Sequence, residues 1–284
     1  MLNKNIINFI GCDCEYEDSK IVLYGAPFDS TTSFRPGTRF ATQAIRSESY
    51  GLETYSPYQD KDLSEKKVFD SGDIELPIGD TQNVIKEIEN RADIIFNDNK
   101  IPFLIGGEHL VTLGAVKSAI KKYSDLNIIH FDAHTDLRED YLGVKLSHAC
   151  VIKRCWELTG DNRIYQFGIR SGERYEFNWA KEGHTKLQKF NFSGLNEVIK
   201  ELKDKPVYLT IDLDVLDPSF FAGTGTPEAG GVSFLELMNA AIDVCSSLNI
   251  VACDTVELCP PYDNSGVSTA VACKIIREMI LAIK

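Results

Sequence analysis

Along the chain, short runs of apolar residues alternate with longer segments whose apolar positions recur at helical spacing. The runs predict strands over 21–25, 67–70, 102–106, 127–131, 163–168, 185–190, 206–212 and 250–254. Most are nearly continuous in apolar residues rather than strictly alternating, the pattern of parallel strands covered by helices on both faces. Between them, 81–97 sets Val84, Ile85, Ile88 and Ile95 at helical spacing, with Asp80 placed to cap the N-terminus. Segments 110–123, 147–158, 194–202, 233–248 and 268–283 follow the same logic and are predicted helices. Strand–helix alternation throughout predicts an α/β sandwich with a mainly parallel sheet. With no Pro/Gly/Ser-rich linker and no internal repeat, 1–284 is expected to be a single domain.

In such sheets a ligand sits beyond the carboxyl ends of the strands, so the residues just after each apolar run matter most. Three of these ends carry metal-ligand residue types. Gly106-Gly107-Glu108-His109 follows one run, Asp132-Ala133-His134-Thr135-Asp136 another, and Asp212-Leu213-Asp214, with Asp217-Pro218 after it, closes a third. Spacing by two on an extended segment predicts that Asp132, His134 and Asp136 point one way, and Asp212 and Asp214 likewise. Crowded carboxylates resist ionisation unless something neutralises them, and a pair of divalent cations would do so. Mixed oxygen and imidazole ligation suits manganese better than metals that prefer thiolate. A lone Asp after a strand usually caps a helix and a lone His is usually packed, but the set at three strand ends points to a centre. His130 shares the parity of Asp132 yet lies deeper in the strand, and is expected to be packed. His184 stands in a polar stretch without a partner motif and is given no role.

Composition changes this picture little. The 284 residues are 43% hydrophobic and 25% charged, as in ordinary globular proteins. The formal net charge of −12 argues against a nucleic-acid partner and is compatible with a cationic substrate. No stretch approaches the roughly 18 apolar residues of a membrane span, and 6–10 is too short for a signal-peptide core, so a cytoplasmic location is expected. The eight cysteines, among them Cys12 and Cys14, form no disulfide or zinc pattern; several lie in apolar runs and read as buried thiols.

Taken together, Gly106-Gly107-Glu108-His109, Phe131-Asp132-Ala133-His134-Thr135-Asp136 and Asp212-Leu213-Asp214-Val215-Leu216-Asp217-Pro218 resemble the arginase/agmatinase (ureohydrolase) family, most of all the bacterial agmatinases. Gly223-Thr224-Gly225-Thr226-Pro227-Glu228 and Val256-Glu257-Leu258 complete the pattern from about Gly25 to the C-terminus. The resemblance implies a three-layer α/β/α sandwich around a mostly parallel eight-stranded sheet, and a homo-oligomer (trimer or hexamer). It also implies two manganese ions, one held by His109, Asp132, Asp136 and Asp212, the other by His134, Asp132, Asp212 and Asp214. Asp136 would also aim the attacking nucleophile, Glu257 would pair with the planar guanidinium, and His148 would shuttle a proton to the leaving amine. Glu108, Leu110 and Cys259 depart from the residues usual in the family.

The resemblance makes agmatine, yielding putrescine and urea, the expected substrate. Arg138 stands where arginase-like members carry an Asn for the amino acid end of arginine, and could instead attract a carboxylate tail such as that of guanidinobutyrate. Glu139, Asp140 and Glu173 are candidates for contacts to a cationic tail. Guanidinopropionate and arginine are the remaining alternatives. Three rivals are weaker. A single-zinc deacetylase on the same sandwich leaves His109, Asp136 and Asp214 unexplained, and a non-catalytic scaffold leaves all six ligands so. A nucleotide-binding protein lacks its motif, because the Gly-rich stretch 223–231 has neither a P-loop Lys nor a GxGxxG run.

Overall fold

Each predicted apolar run becomes a strand of one sheet. In the computed structural model, which describes residues 2–284, the strands are β1 (Ile21–Ala26), β2 (Tyr55–Ser56), β3 (Lys61–Asp62), β4 (Val68–Asp73), β5 (Ile101–Gly106), β6 (Asn127–Phe131), β7 (Ile164–Ile169), β8 (Lys186–Lys189), β9 (Pro206–Asp212) and β10 (Asn249–Val256). Eight of them form the sheet, in the order β4-β1-β5-β10-β9-β6-β7-β8, while β2 and β3 pair as a small separate hairpin. Every pairing within the large sheet is parallel. Parallel strands need covered crossovers, which is why their runs are apolar on both faces.

The helices are α1 (Ala41–Ser49), α2 (Thr81–Asn97), α3 (Thr112–Lys122), α4 (Val151–Thr159), α5 (Arg174–Trp179), α6 (Leu195–Glu201), α7 (Phe234–Ser247) and α8 (Val267–Ala282). Asp80 caps α2 as expected, accepting the Asn83 N–H. The sheet divides two cores. Val22, Tyr24, Leu104, Ile128 and Tyr208 pack with α2, α3 and α4 on one face. Leu23, Phe103, Ile129, Phe131 and Ile211 pack with α1, α7 and α8 on the other. The three-layer α/β/α arrangement is the one expected.

Two helices escape the sequence pattern. Helix α1 is poor in apolar residues, but its Arg46 is buried between Asp70 at 2.8 Å and Asp73 at 2.5 Å, so an ion-pair network rather than an apolar stripe seats it. Helix α5 is only six residues long, too short for periodicity to register. All eight cysteines are free and all but Cys14 are buried. Among the described residues no helix is long and apolar enough to cross a membrane.

The sheet order puts β5, β10, β9 and β6 side by side at its centre. Their carboxyl ends therefore open into one place. Gly107 stitches that place together: its N–H donates to Ala26 O, and its carbonyl accepts the Glu257 N–H, both at 2.9 Å. A side chain there would collide with the backbone of Phe28, so the close approach requires glycine.

Candidate active site

His109 follows β5 in a short turn (His109–Val111) and is almost wholly buried. Its Nε2 lies 3.0 Å from Thr210 Oγ1, and Thr210 donates its own proton to Asp254 Oδ1 at 2.6 Å. With its hydroxyl hydrogen committed, Thr210 can only accept from His109, so in the neutral imidazole, the form that ligates a metal, Nε2 carries the proton and Nδ1 the lone pair. That lone pair faces Asp132 Oδ2, Asp136 Oδ2 and Asp212 Oδ2 at 3.1, 3.2 and 3.3 Å. None of these oxygens makes a hydrogen bond with Nδ1. Four electron-rich atoms converging without a shared hydrogen fit a cation, and the surrounding carboxylates, overcoming burial, also raise the affinity of His109 for positive charge.

A second focus adjoins the first. His134 Nδ1 lies 3.0 Å from Asp214 Oδ2 and 3.5 Å from Asp132 Oδ1, so Asp132 turns one oxygen to each imidazole. Asp212 turns Oδ2 to His109, while its Oδ1 accepts the Asp214 N–H at 2.8 Å. Burial and the neighbouring carboxylates push Asp212 well above the carboxylate range and Asp136 up to about 7. Against the burial that would raise it, His130 and His109 hold Asp132 well below. The donor set therefore fits two ions with oxygen and imidazole ligands, and no cysteine takes part.

The structure brings these acids together, but not by the strand alternation the sequence predicts. β6 stops at Phe131, and Asp136 adopts a left-handed backbone (φ 51°) that turns its carboxylate back to His109. β9 stops at Asp212, whose side chain caps the turn Leu213–Val215 that carries Asp214.

His130 is close enough to His109 and Asp132 to suggest a further ligand. Its hydrogen bonds say otherwise. Gln166 Oε1 accepts from Thr185, which fixes the amide so that its nitrogen donates to Thr135 O and to His130 Nδ1 at 3.1 Å. His130 Nε2 then carries the proton and donates to Asp132 Oδ2 at 2.7 Å. It is the packed histidine expected, and it orients Asp132 from behind. His184 stacks on Trp179 and pairs with Asp161, away from the cavity.

Above the two foci lies a cavity of about 290 Å³ whose walls include His134, Asp136, His148, Asp212, Thr226 and Glu257, with Arg138, Tyr141, Glu173 and Glu176 around it. Glu257 follows β10 in a left-handed conformation (φ 65°), and its Oε1 accepts the His109 N–H at 2.7 Å. Burial and the charge of Glu108 raise its carboxyl well above the usual range. His148 begins the turn before α4, and its backbone N–H donates to Thr31 Oγ1 at 3.1 Å. Burial, and then His134, push its imidazole down to about 4. It rests neutral. Of the acids expected near a substrate tail, Glu173 lines the cavity. Glu139 instead faces Lys145, Lys153 and Arg154, and Asp140 accepts the Gly143 N–H.

Sequence reasoning passed over several supporting residues. Asp254 is a buried acid within an apolar strand, a signal in itself. Arg170, directly after β7, donates to the carbonyls of Asp214, Val215, Leu216 and Glu228 and so clamps the turn that carries Asp214. Thr31 gave no local signal.

The Arginase family model matches residues 19–282. Agmatinase of Bacillus subtilis is 48% identical over 275 residues, covering 96% of this chain and 95% of the relative. Guanidinobutyrase of Pseudomonas aeruginosa is 32% identical over 269 residues, covering 90% and 84% respectively. The crystal structure of agmatine ureohydrolase of Thermoplasma volcanium matches with a TM-score of 0.89 at 33% identity, over 98% of this chain and 94% of that one. The chain belongs to the arginase family and is an agmatinase-like ureohydrolase.

Proposed function

We propose that the chain hydrolyses agmatine to putrescine and urea, using two manganese ions held by His109, Asp132, His134, Asp136, Asp212 and Asp214. The observation that carries this reading is the lone pair of His109 Nδ1 among three carboxylate oxygens, beside a second imidazole–carboxylate focus that shares Asp132. The 48% identity to an agmatinase supports the choice of substrate. When bound, the ions supply charge neutralisation and activation of water at neutral pH.

The rest of the chemistry falls to the side chains. A guanidinium carbon is a poor electrophile because its charge is delocalised, so the group must be held planar and still. Glu257, with Oε1 held by the His109 N–H, presents its carboxylate to guanidinium N–H groups in a charge-assisted contact. Asp136 accepts a hydrogen bond from the attacking water and aims it. His148 rests neutral, takes up the proton that water loses, and returns it to the departing amine as the C–N bond breaks. In the same reading residues 1–284 form one domain that works in the cytoplasm as a homo-oligomer.

The test is urea release by manganese-loaded protein from agmatine, arginine, guanidinobutyrate and guanidinopropionate, each with a chelator control. Release mainly from agmatine, abolished by the chelator, is expected. Release chiefly from another guanidino compound would move the substrate, and release from none with manganese bound would end the proposal. His109→Ala should in addition lose bound metal while leaving the fold intact.

A further inference from the structure

Among the described residues Arg138 is the one arginine or lysine on the cavity wall, and the sequence left open whether it serves a substrate carboxylate. The structure shows how that cation is occupied. Its guanidinium lies over the ring of Tyr141, 4.8 Å from the centroid. Its Nη2 is 3.4 Å from Glu173 Oε1, and its Nε is 3.9 Å from Glu176 Oε2. Glu176 is buried and fully engaged. It accepts from Thr135 Oγ1, Leu137 N and Glu173 N at 2.7, 3.0 and 2.6 Å, which fixes the start of α5 against the loop bearing Asp136. Glu173 differs: its side chain is 56% exposed and lines the same cavity as Glu257. Two carboxylates thus surround one guanidinium, so this part of the wall carries a net negative charge.

We propose that Arg138, Glu173 and Tyr141 form a charge filter for the substrate tail, in which Glu173 receives a cationic tail and also ties up Arg138. This rests on the reading that a guanidino group is cleaved beside Glu257. A tail ending in an ammonium meets Glu173 with favourable charge. A tail ending in a carboxylate meets Glu173 as a like charge, and the cation that would welcome it is already paired and stacked. Discrimination therefore arises as much from repulsion of the wrong tail as from attraction of the right one. The pair is half in solvent, so its effect is that of a partly screened contact.

The experiment compares kcat/KM for agmatine and 4-guanidinobutyrate in manganese-loaded wild-type, Glu173→Gln and Glu173→Gln/Arg138→Gln proteins. Glu173→Gln should lower the agmatine-to-guanidinobutyrate ratio about tenfold, a change worth one factor of ten in relative binding, mainly through KM. Adding Arg138→Gln should remove the gain for guanidinobutyrate, because the freed cation is then gone. A ratio unchanged in Glu173→Gln, or equal losses for both substrates, overturns the filter. Putrescine binding to manganese-loaded protein, followed by calorimetry, reads the filter without turnover. It should weaken in Glu173→Gln, and equal binding overturns the proposal even if wild-type protein cleaves neither substrate, the result that would instead strike the assigned reaction.

Discussion

Thr210 accepts the Nε2 proton of His109 at 3.0 Å and hands its own proton to Asp254, so the imidazole that faces three carboxylates is held in one tautomer from inside the sheet. Tyr208 donates to the other oxygen of Asp254 at 2.6 Å, which completes a buried polar thread between β9 and β10. Outer partners of this kind set ligand orientation and basicity. Thr210→Val keeps the shape and removes the acceptor. Its apparent manganese affinity should fall about 10–100-fold in a metal titration, and Thr210→Ser should restore it. Wild-type affinity in Thr210→Val would remove the thread from any role in metal binding.

Thr31 links Glu108 to His148. It donates its hydroxyl to the buried Glu108 carboxylate and accepts the His148 backbone N–H. Glu108 is placed to hold this loop, since its carboxylate also accepts the Thr31 N–H at 2.8 Å. If the hydroxyl positions His148, Thr31→Val should lower kcat about tenfold or more with little change in KM, and Thr31→Ser should recover most of it. Equal kcat in the valine and serine variants would leave His148 positioned by the turn alone.

The sheet was legible because a strand covered on both faces must be apolar throughout, as in Ile128, Ile129 and Phe131 or Val207, Leu209 and Ile211. The candidate ligand acids were legible because they sit where those runs stop. What pattern could not supply is how they converge: Asp136 and Glu257 both use left-handed backbone, which residue identity does not announce in Asp or Glu. Helix α1 was hidden for another reason. Its buried face includes an ionised side chain, and periodicity arguments count Arg46 as surface.

Arg46 bears directly on stability. Its guanidinium is 3% exposed and meets Asp70 through two nitrogens, while Asp73 takes a third contact. Removing one partner of a buried ion network leaves the others desolvated and unpaired. Arg46→Ala should destabilise the fold by about 3–5 kcal/mol in urea unfolding. A loss under about 1 kcal/mol would mean that water or another cation reaches the two carboxylates.

Glu257 is assigned to substrate and not to metal. Glu257→Gln preserves size and an acceptor oxygen for the His109 N–H while removing the charge that pairs with a guanidinium. We expect kcat/KM to fall about a hundredfold, as for loss of a buried charge-assisted contact, with metal content unchanged. Loss of manganese from this variant would instead place Glu257 among the groups that hold the ions.

Asp217 closes the loop that brings Thr226 onto Asp214. Its carboxylate accepts the Ser219 hydroxyl and N–H at 2.5 and 3.0 Å, and the N–H groups of Gly230 and Gly231 at 2.7 and 3.1 Å. These donors, the Ser219 hydroxyl foremost, lower its pKa from 3.8 to about 2. A carboxyl whose folded pKa lies below its unfolded value stabilises the fold above the unfolded value, and that contribution disappears as pH falls through the folded one. Allowing for solvent screening at this partly exposed site, Asp217→Asn should cost about 1 kcal/mol at neutral pH. Urea unfolding of the two proteins from pH 7 downward should show the gap constant to about pH 4 and then closing toward pH 2. A gap that persists unchanged to the lowest measurable pH would assign the loss to the geometry of the loop and not to the charge of Asp217.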